Sequence, residues 1–250
     1  MFAWKYGLFI LFLTLSTVST SLEAKTEKML LMGVAESQQN GAPKITEATL
    51  NFLKKVYEEH GYQLKIEVLP FKRLLWMLDQ GDLDGNLARS AAIEAEAKNI
   101  VKVPEPLVML SSIVITRQNS HDAPPNTTAI EIGDAHSRSL AQGTTILEAN
   151  SSEMLISMLK EQRVKQVIIS TAYVERFSEV PEFKIKRLEQ KLALFTYLNK
   201  KHAALAKKVG DTMLRLKKEG TFRKEFLKSG VGNIYDLLVP MNSEKTNLGG

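Results

Sequence analysis

The sequence predicts an α/β fold arranged as two α/β lobes, and three observations carry that expectation. In the first half, apolar runs alternate with helical patterns in β-α-β-α-β order, which implies parallel strands with helical crossovers. A second series of shorter elements starts at Ala129–Gly133. Finally, Met77-Leu78-Asp79-Gln80-Gly81-Asp82-Leu83-Asp84 echoes Met158-Leu159-Lys160-Glu161-Gln162-Arg163-Val164-Lys165. Each reads as the end of a helix, a tight turn and a buried strand. Two lobes built from one α/β unit produce such an echo; chance similarity is the competing reading.

The elements follow in order. Leu30–Val34 reads as a short buried strand ending in a polar loop, Glu36–Gly41. Ile45, Ala48, Phe52, Val56 and Tyr57 recur at helical spacing, and Gly61 ends that helix. Leu64–Leu69 alternates apolar with charged residues, as a strand does. Phe71–Gln80 is a helix with Leu74, Leu75 and Leu78 on one face, capped by Gly81, and Leu83–Ala88 is the next strand. Val101–Pro106 is a loop, Leu107–Thr116 a long apolar strand and Asn119–Thr128 a turn-rich connection. The later series holds a loop at Ala135–Ser139, a helix Ser152–Gln162, a strand Val164–Ile169, a short helix Ala172–Phe177 and a strand Leu192–Leu198. A helix from His202 to Glu219 stops at Gly220, and Thr221 is placed to cap a last helix to Lys228. Residues 241–250 read as a flexible tail.

Residues 1–24 have the layout of a signal peptide. Lys5 precedes an apolar run, Gly7–Val18, broken only by Thr14, Ser16 and Thr17, and small residues lead to Ala24. A spanning helix needs about 20 apolar residues, and this run is too short and too rich in hydroxyls. Cleavage is expected near Ala24, leaving a periplasmic protein. The chain has no cysteine, so neither a disulfide nor a lipid-modified cysteine is available, and the core must stabilise the exported chain unaided.

The net charge is +5, with basic residues scattered as Lys207-Lys208, Lys217-Lys218 and Arg223-Lys224. A basic stripe with interleaved aromatics is missing, which argues against a nucleic-acid partner and leaves a mild attraction for anions. The four histidines, His60, His121, His136 and His202, lack metal-ligand spacing. There is no phosphate loop, no Gly-x-Gly-x-x-Gly and no Gly-x-Ser-x-Gly. No metal and no cofactor is therefore expected.

From Pro70-Phe71-Lys72-Arg73-Leu74-Leu75 through Gly81-Asp82-Leu83-Asp84-Gly85, the chain resembles the family 3 extracellular solute-binding proteins. Tyr197-Leu198-Asn199-Lys200 and Leu216-Lys217-Lys218-Glu219-Gly220-Thr221-Phe222 look like that family's last strand and its helix, glycine, short-helix ending. The resemblance runs from about Met29 to Gly230. It implies a periplasmic-binding-protein-like fold of type 2, with two lobes joined by a two-strand hinge near Pro106–Ser112 and Lys191–Thr196. Lobe 1 would hold residues 25–108 and 197–240, and lobe 2 residues 109–196. A small-molecule ligand would sit in the cleft under hinge closure. The family's amino-acid binders hold the ligand carboxylate with an Arg that falls near Glu96 here, and the ammonium with an Asp that falls at Ser170-Thr171. Neither charge stands at those places, which argues against an ordinary amino-acid ligand.

Eight residues are candidates for the ligand site. Arg73 opens a helix beside the predicted cleft, and its fork can pair a carboxylate; a surface ion pair with Glu67 or Asp79 competes. Arg89 stands at the C-terminal end of a buried strand, where α/β sheets place ligands; an ion pair with Asp84 or Glu94 competes. Glu36 could take a ligand cation, or be a solvated loop residue. Phe71 offers an aromatic wall. Ser152 precedes free helix N–H groups, although simple capping competes. Ser170 and Tyr173 could donate hydrogen bonds, and Arg138 is a further cleft cation.

The resulting expectation is a monomeric periplasmic binder of a small polar, possibly anionic, molecule, serving an inner-membrane transporter or sensor. Two rivals share the fold: a dehydratase or peptidoglycan lyase, marked by a cleft carboxyl of raised pKa with Glu36 and Glu96 as the residues to inspect, and a sensor-interacting protein with an exposed apolar patch.

Overall fold

A computed structural model describes residues 28–232. The chain opens with β1 (Lys28–Ala35), α1 (Glu36–Gly41), α2 (Pro43–Glu58), β2 (Tyr62–Leu69), α3 (Phe71–Gln80) and β3 (Gly85–Arg89). The predicted crossovers are present: β1 runs parallel to both β2 and β3. β4 (Ile100–Lys102) and β5 (Val108–Arg117) follow. The later series is β6 (Thr127–Glu131), α4 (Ala135–Leu140), β7 (Thr145–Ala149), α5 (Ser152–Lys160), β8 (Gln166–Ser170) and α6 (Val174–Ser178). The chain then runs through β9 (Phe183–Asn199), α7 (Ala203–Lys218) and α8 (Thr221–Lys228).

The strands form one mixed sheet in the order β2-β1-β3-β9-β5-β8-β6-β7, with β4 also on β9. β9 joins the two halves. It is antiparallel to β3 and β4 at its C-terminal end and to β5 along the rest. The two segments expected to cross over lie on β5 and β9 and pair with each other, Val108 with Leu194 and Leu110 with Leu192.

Each half has its own core. Phe52 and Val56 of α2 pack on Leu30 and Met32 of β1 and on Val209, Met213, Phe222 and Phe226 of the last helices. Phe52 and Phe222 meet edge to face at 4.8 Å. On the other sheet face, Leu74 and Leu78 of α3 meet Leu83 and Tyr197. In the second half, Leu155 and Leu159 of α5 cover Ile113, Ile115 and Val167, with Phe177 beside them. The 3.6-residue spacing of those leucines is what buries one helix face in each case.

The sequence echo is a shared turn. Asp82 N–H bonds Met77 C=O at 2.9 Å, and Arg163 N–H bonds Met158 C=O at 2.9 Å. Both turns pass through a left-handed residue, Gly81 (φ 87°) and Gln162 (φ 56°). This is a Schellman ending, in which the amide past the left-handed residue closes on the last helical turn.

Several local readings need correction. Glu36–Gly41 is a helix and not a loop: Gln38 accepts the Ala35 N–H and donates to Ala88 C=O at 3.0 Å, which turns a polar stretch into an ordered one. The Ala135–Ser139 segment is helical, started by Asp134, whose side chain accepts the Ser137 N–H. Val101 and Lys102 of the predicted loop belong to a short strand, β4, that pairs with β9. β7, absent from the sequence reading, pairs with β6, and β9 is far longer than Leu192–Leu198. Thr221 makes no cap; Gly220 precedes the helix at φ 78°. The expected signal peptide and the 241–250 tail lie outside the described residues. Among the described residues, no helix is long and apolar enough to cross a membrane.

Candidate functional site

The ends of β3, β6 and β8 and the start of α1 converge on a cavity of about 120 Å³ between the halves. Val108 and Leu110 of β5 and Leu192 and Leu194 of β9 line it as well. The first half contributes Gln38, Ala88 and Arg89; the second contributes Glu131, Asp134, Ser170 and Tyr173.

Arg89 is the cation in this lining. The residue keeps some surface exposure, but its Nε and Nη2 are closed to solvent and have no hydrogen-bond partner. Those two nitrogens form one edge of the guanidinium, the edge that takes a carboxylate bidentately. The Phe71 ring lies under the group, 4.5 Å from its central carbon to the ring centre, a cation–π contact. Burial pulls the Arg89 guanidinium below its usual value, and the charges of Glu131, Tyr173, Asp134 and Glu96 oppose that pull.

Glu131 is buried at the end of β6. Burial pushes its carboxyl above the usual range and Asp134 adds to that, while hydrogen bonds from Ser37 and Tyr173 and the charge of Arg89 hold it back. Tyr173 is pushed well above its ordinary value by burial and then by Glu131. Its hydroxyl also faces the Ser37 carbonyl at 3.3 Å. Asp134 is committed locally: Oδ1 accepts the Ser137 N–H at 2.9 Å and Oδ2 the Ser137 hydroxyl at 2.5 Å.

The two halves touch around the cavity. Gly41 of α1 lies against the Tyr173 ring, and Gly133 against the Phe71 ring. Arg176 donates to Asn40 C=O at 2.5 Å and pairs with Glu153. α1, polar and expected as a loop, therefore contributes to the contact with the second half through Asn40 and Gly41.

Of the eight candidates, Arg89, Ser170 and Tyr173 line the cavity, and Phe71 stacks on Arg89. Ser170 also caps the turn that follows it, accepting the Ala172 N–H. The other four stand elsewhere. Glu36 and Arg73 are exposed outside the lining, so Arg73 and Arg89 do not share one cavity. Arg138 is exposed and paired with Glu148. Ser152 is buried at the start of α5, outside the lining. Glu36 and Glu96 are both exposed, and the carboxyl of raised pKa in the cleft is Glu131 instead. Glu131, Asp134, Ser37 and Gln38 were not among the candidates. Glu131 obeys the rule that singled out Arg89, a charged residue at the C-terminal end of a buried strand.

Comparison with known proteins agrees with this arrangement. The pattern of the bacterial extracellular solute-binding proteins, family 3, matches residues 40–228. An uncharacterized protein of Shewanella oneidensis is 22% identical over 181 residues, 66% of this chain and 69% of the relative. A mutant of ArgBP from T. maritima superposes with a TM-score of 0.66 at 17% identity, covering 82% of this chain and 96% of its own. The GluR0 ligand-binding core from Nostoc punctiforme, in complex with L-glutamate, gives 0.65 at 13% identity, covering 81% and 99%. A substrate-binding protein of a Streptococcus pneumoniae ABC uptake transporter, with bound histidine, gives 0.65 at 12% identity, covering 82% and 93%.

Proposed function

The chain belongs to the bacterial extracellular solute-binding proteins of family 3, and from that premise we propose that it captures a small polar anion between its two halves. The halves act as lobes that close by bending β5 and β9, and the loaded protein serves a membrane transporter or a sensor from the periplasm, as a monomer. The observation that carries the reading is Arg89, the cation in the lining of the interlobe cavity, whose Nε–Nη2 edge has no hydrogen-bond partner. A buried charge is costly unless it is paired, so a carboxylate on that edge would stabilise the closed form. Three fold neighbours hold arginine, glutamate and histidine, ligands that each carry a carboxylate.

The test is a thermal-shift screen of small carboxylates and their amides, since a ligand of the folded state raises stability by mass action. Carboxylates should raise the midpoint and Arg89→Met should abolish the effect. Equal shifts for amides, or retention in Arg89→Met, would refute the reading.

One observation favours a second reading, an enzyme on the same fold. Glu131 is a cleft carboxyl held above its usual range beside Tyr173, the property expected of a general acid. The discriminating variant is Glu131→Gln. An enzyme would keep binding and lose turnover; a binder shows no turnover in either form.

A further inference from the structure

We propose that the outer face of α7 and α8 is a docking surface for a membrane rich in anionic lipid. No residue of either helix lines the interlobe cavity, so the proposal is independent of what the cavity holds.

Charge is unevenly placed along the chain. Residues 28–199 hold twenty Lys and Arg against twenty-one Asp and Glu, whereas residues 200–228 hold ten against three. Helix formation does not ask for this excess, because Lys, Arg, Gln and Glu have similar helix propensities. The helix dipole favours acids in a first turn and cations in a last one. Arg215, Lys217, Lys218 and Lys228 stand in last turns and fit that rule. The first turns do not: neither helix has an acid there, and α8 begins Thr221-Phe222-Arg223-Lys224. The three acids are already engaged. Asp211 pairs with Lys207, Glu219 with Arg215, and the buried Glu225 with both Lys55 and Lys228. Lys208, Lys218 and Lys224 are exposed and have no ion pair among the described residues.

Two exposed leucines stand among these charges, Leu214 at 41% and Leu227 at 58% of full exposure. Along α7, Lys207, Leu214 and Lys218 recur at helical spacing on the outer face, opposite the buried Val209, Met213 and Leu216. On α8, Lys224, Leu227 and Lys228 are exposed while Phe222 and Phe226 are buried. Both helices pack with α2 around one core, so their outer faces adjoin. The nearest acid of α2 to α7, Glu59, is held by Arg215. Lysines with leucines between them on a helical surface suit a bilayer of anionic lipid. The ammonium groups meet the headgroup phosphates, and the leucines enter the boundary beneath them. A soluble polyanion would answer the lysines and leave the leucines in water. The other basic stretch, Lys184 to Lys191 of β9, contains none of the exposed large apolar side chains.

The experiment is co-sedimentation of the purified full chain with vesicles of phosphatidylcholine, with and without about one third phosphatidylglycerol. The protein should bind the anionic vesicles more tightly, and added salt should weaken that preference. Each lysine near an anionic surface strengthens binding about fivefold. Replacing three together, Lys208→Gln, Lys218→Gln and Lys224→Gln, should therefore weaken it about a hundredfold, with circular dichroism unchanged. The matched control, Lys184→Gln, Lys186→Gln and Lys191→Gln, removes the same charge from β9 and should bind like the parent. Both variants keep the parent's N-terminal residues, so their difference reports the replaced lysines alone. Because the chain has no cysteine, a polarity-sensitive dye on Leu227→Cys reads insertion. It should brighten with anionic vesicles, and the same dye on Val68→Cys, exposed on β2, should not. Equal weakening in the two lysine variants, or a dye at Leu227→Cys that stays dim on bound protein, would overturn the proposal. So would retention on immobilised heparin through the same three lysines without vesicle binding, which would make the face a site for a soluble polyanion.

Discussion

Gly41→Ala should open the molecule. A Cβ built at Gly41 lies 1.9 Å from Tyr173 Cε1 and 2.6 Å from its Cδ1, about 1.5 Å short of ordinary contact. The Tyr173 ring has little freedom to yield. It is buried, and its hydroxyl faces Glu131 and the Ser37 carbonyl. The strain is relieved instead by moving the second half away from α1. Overpacking of this kind costs about 1–3 kcal/mol, which shifts a closed-to-open ratio by about 5- to 150-fold. Within α1 itself alanine is no worse than glycine, so the first half should stay folded. Because the chain has no cysteine, Lys54→Cys and Glu179→Cys, both exposed, can carry a spin-label pair, one label on each half. Pulsed dipolar spectroscopy should show a longer mean distance in Gly41→Ala than in the parent. An unchanged distribution would refute the reasoning. So would a lengthening that persists when Tyr173 is also replaced by alanine, since the clash would then not be its cause.

Three further outcomes follow from the same structure. Lys217 and Glu105 pair at 2.7 Å with side chains only 10% and 19% exposed, so Lys217→Met alone should cost about 3–5 kcal/mol in urea denaturation, and Glu105→Leu on top should recover part of it. Burial raises the Asp84 carboxyl, but the Leu31 N–H, Lys201 and His202 outweigh it and leave it below its usual range; the stability this contributes is present above the ordinary carboxylate pKa and is lost as pH falls through the depressed one. Asp84→Asn should therefore cost about 1.5–3 kcal/mol near pH 7 and flatten the acid limb of a denaturation–pH series. Glu131 has the opposite sign: its raised pKa makes its contribution complete below 4.5 and lost as pH rises through the elevated value. Glu131→Gln should remove that loss in urea midpoints taken from about pH 5 to about pH 8.

The regular elements were legible because their signals are local and periodic. Phe71–Gln80 has the predicted bounds, since apolar spacing sets its face and Gly81 its end. The Met77 and Met158 echo was readable for the same reason: one turn geometry asks for similar residues in both places. What escaped depends on contacts remote in sequence. α1 is polar and six residues long, with no periodicity to betray it; part of its order comes from Gln38 reaching Ala88 C=O, 50 residues away. The N-terminal part of β9 is half-exposed and charged, so it lacks an apolar run, and pairing with β5 makes it a strand. In the site, Arg89 was readable from its position at a strand end, whereas Arg73 and Arg138 shared its chemistry without its placement. Glu131 ends a strand as Arg89 does, but its surroundings depend on residues remote in sequence, Tyr173 of the second half and Ser37 of α1 in the first.

The placement of β9 bears on how such a chain is made. Residues 183–199 supply the strand on which β3, β4 and β5 all pair, yet they emerge from the ribosome after most of the chain. Until then neither half of the sheet has its central partner, and α7 and α8, which close the first core, come later still. Early fragments hold incomplete sheets with unpaired edges, so stable folding is deferred to the end of synthesis.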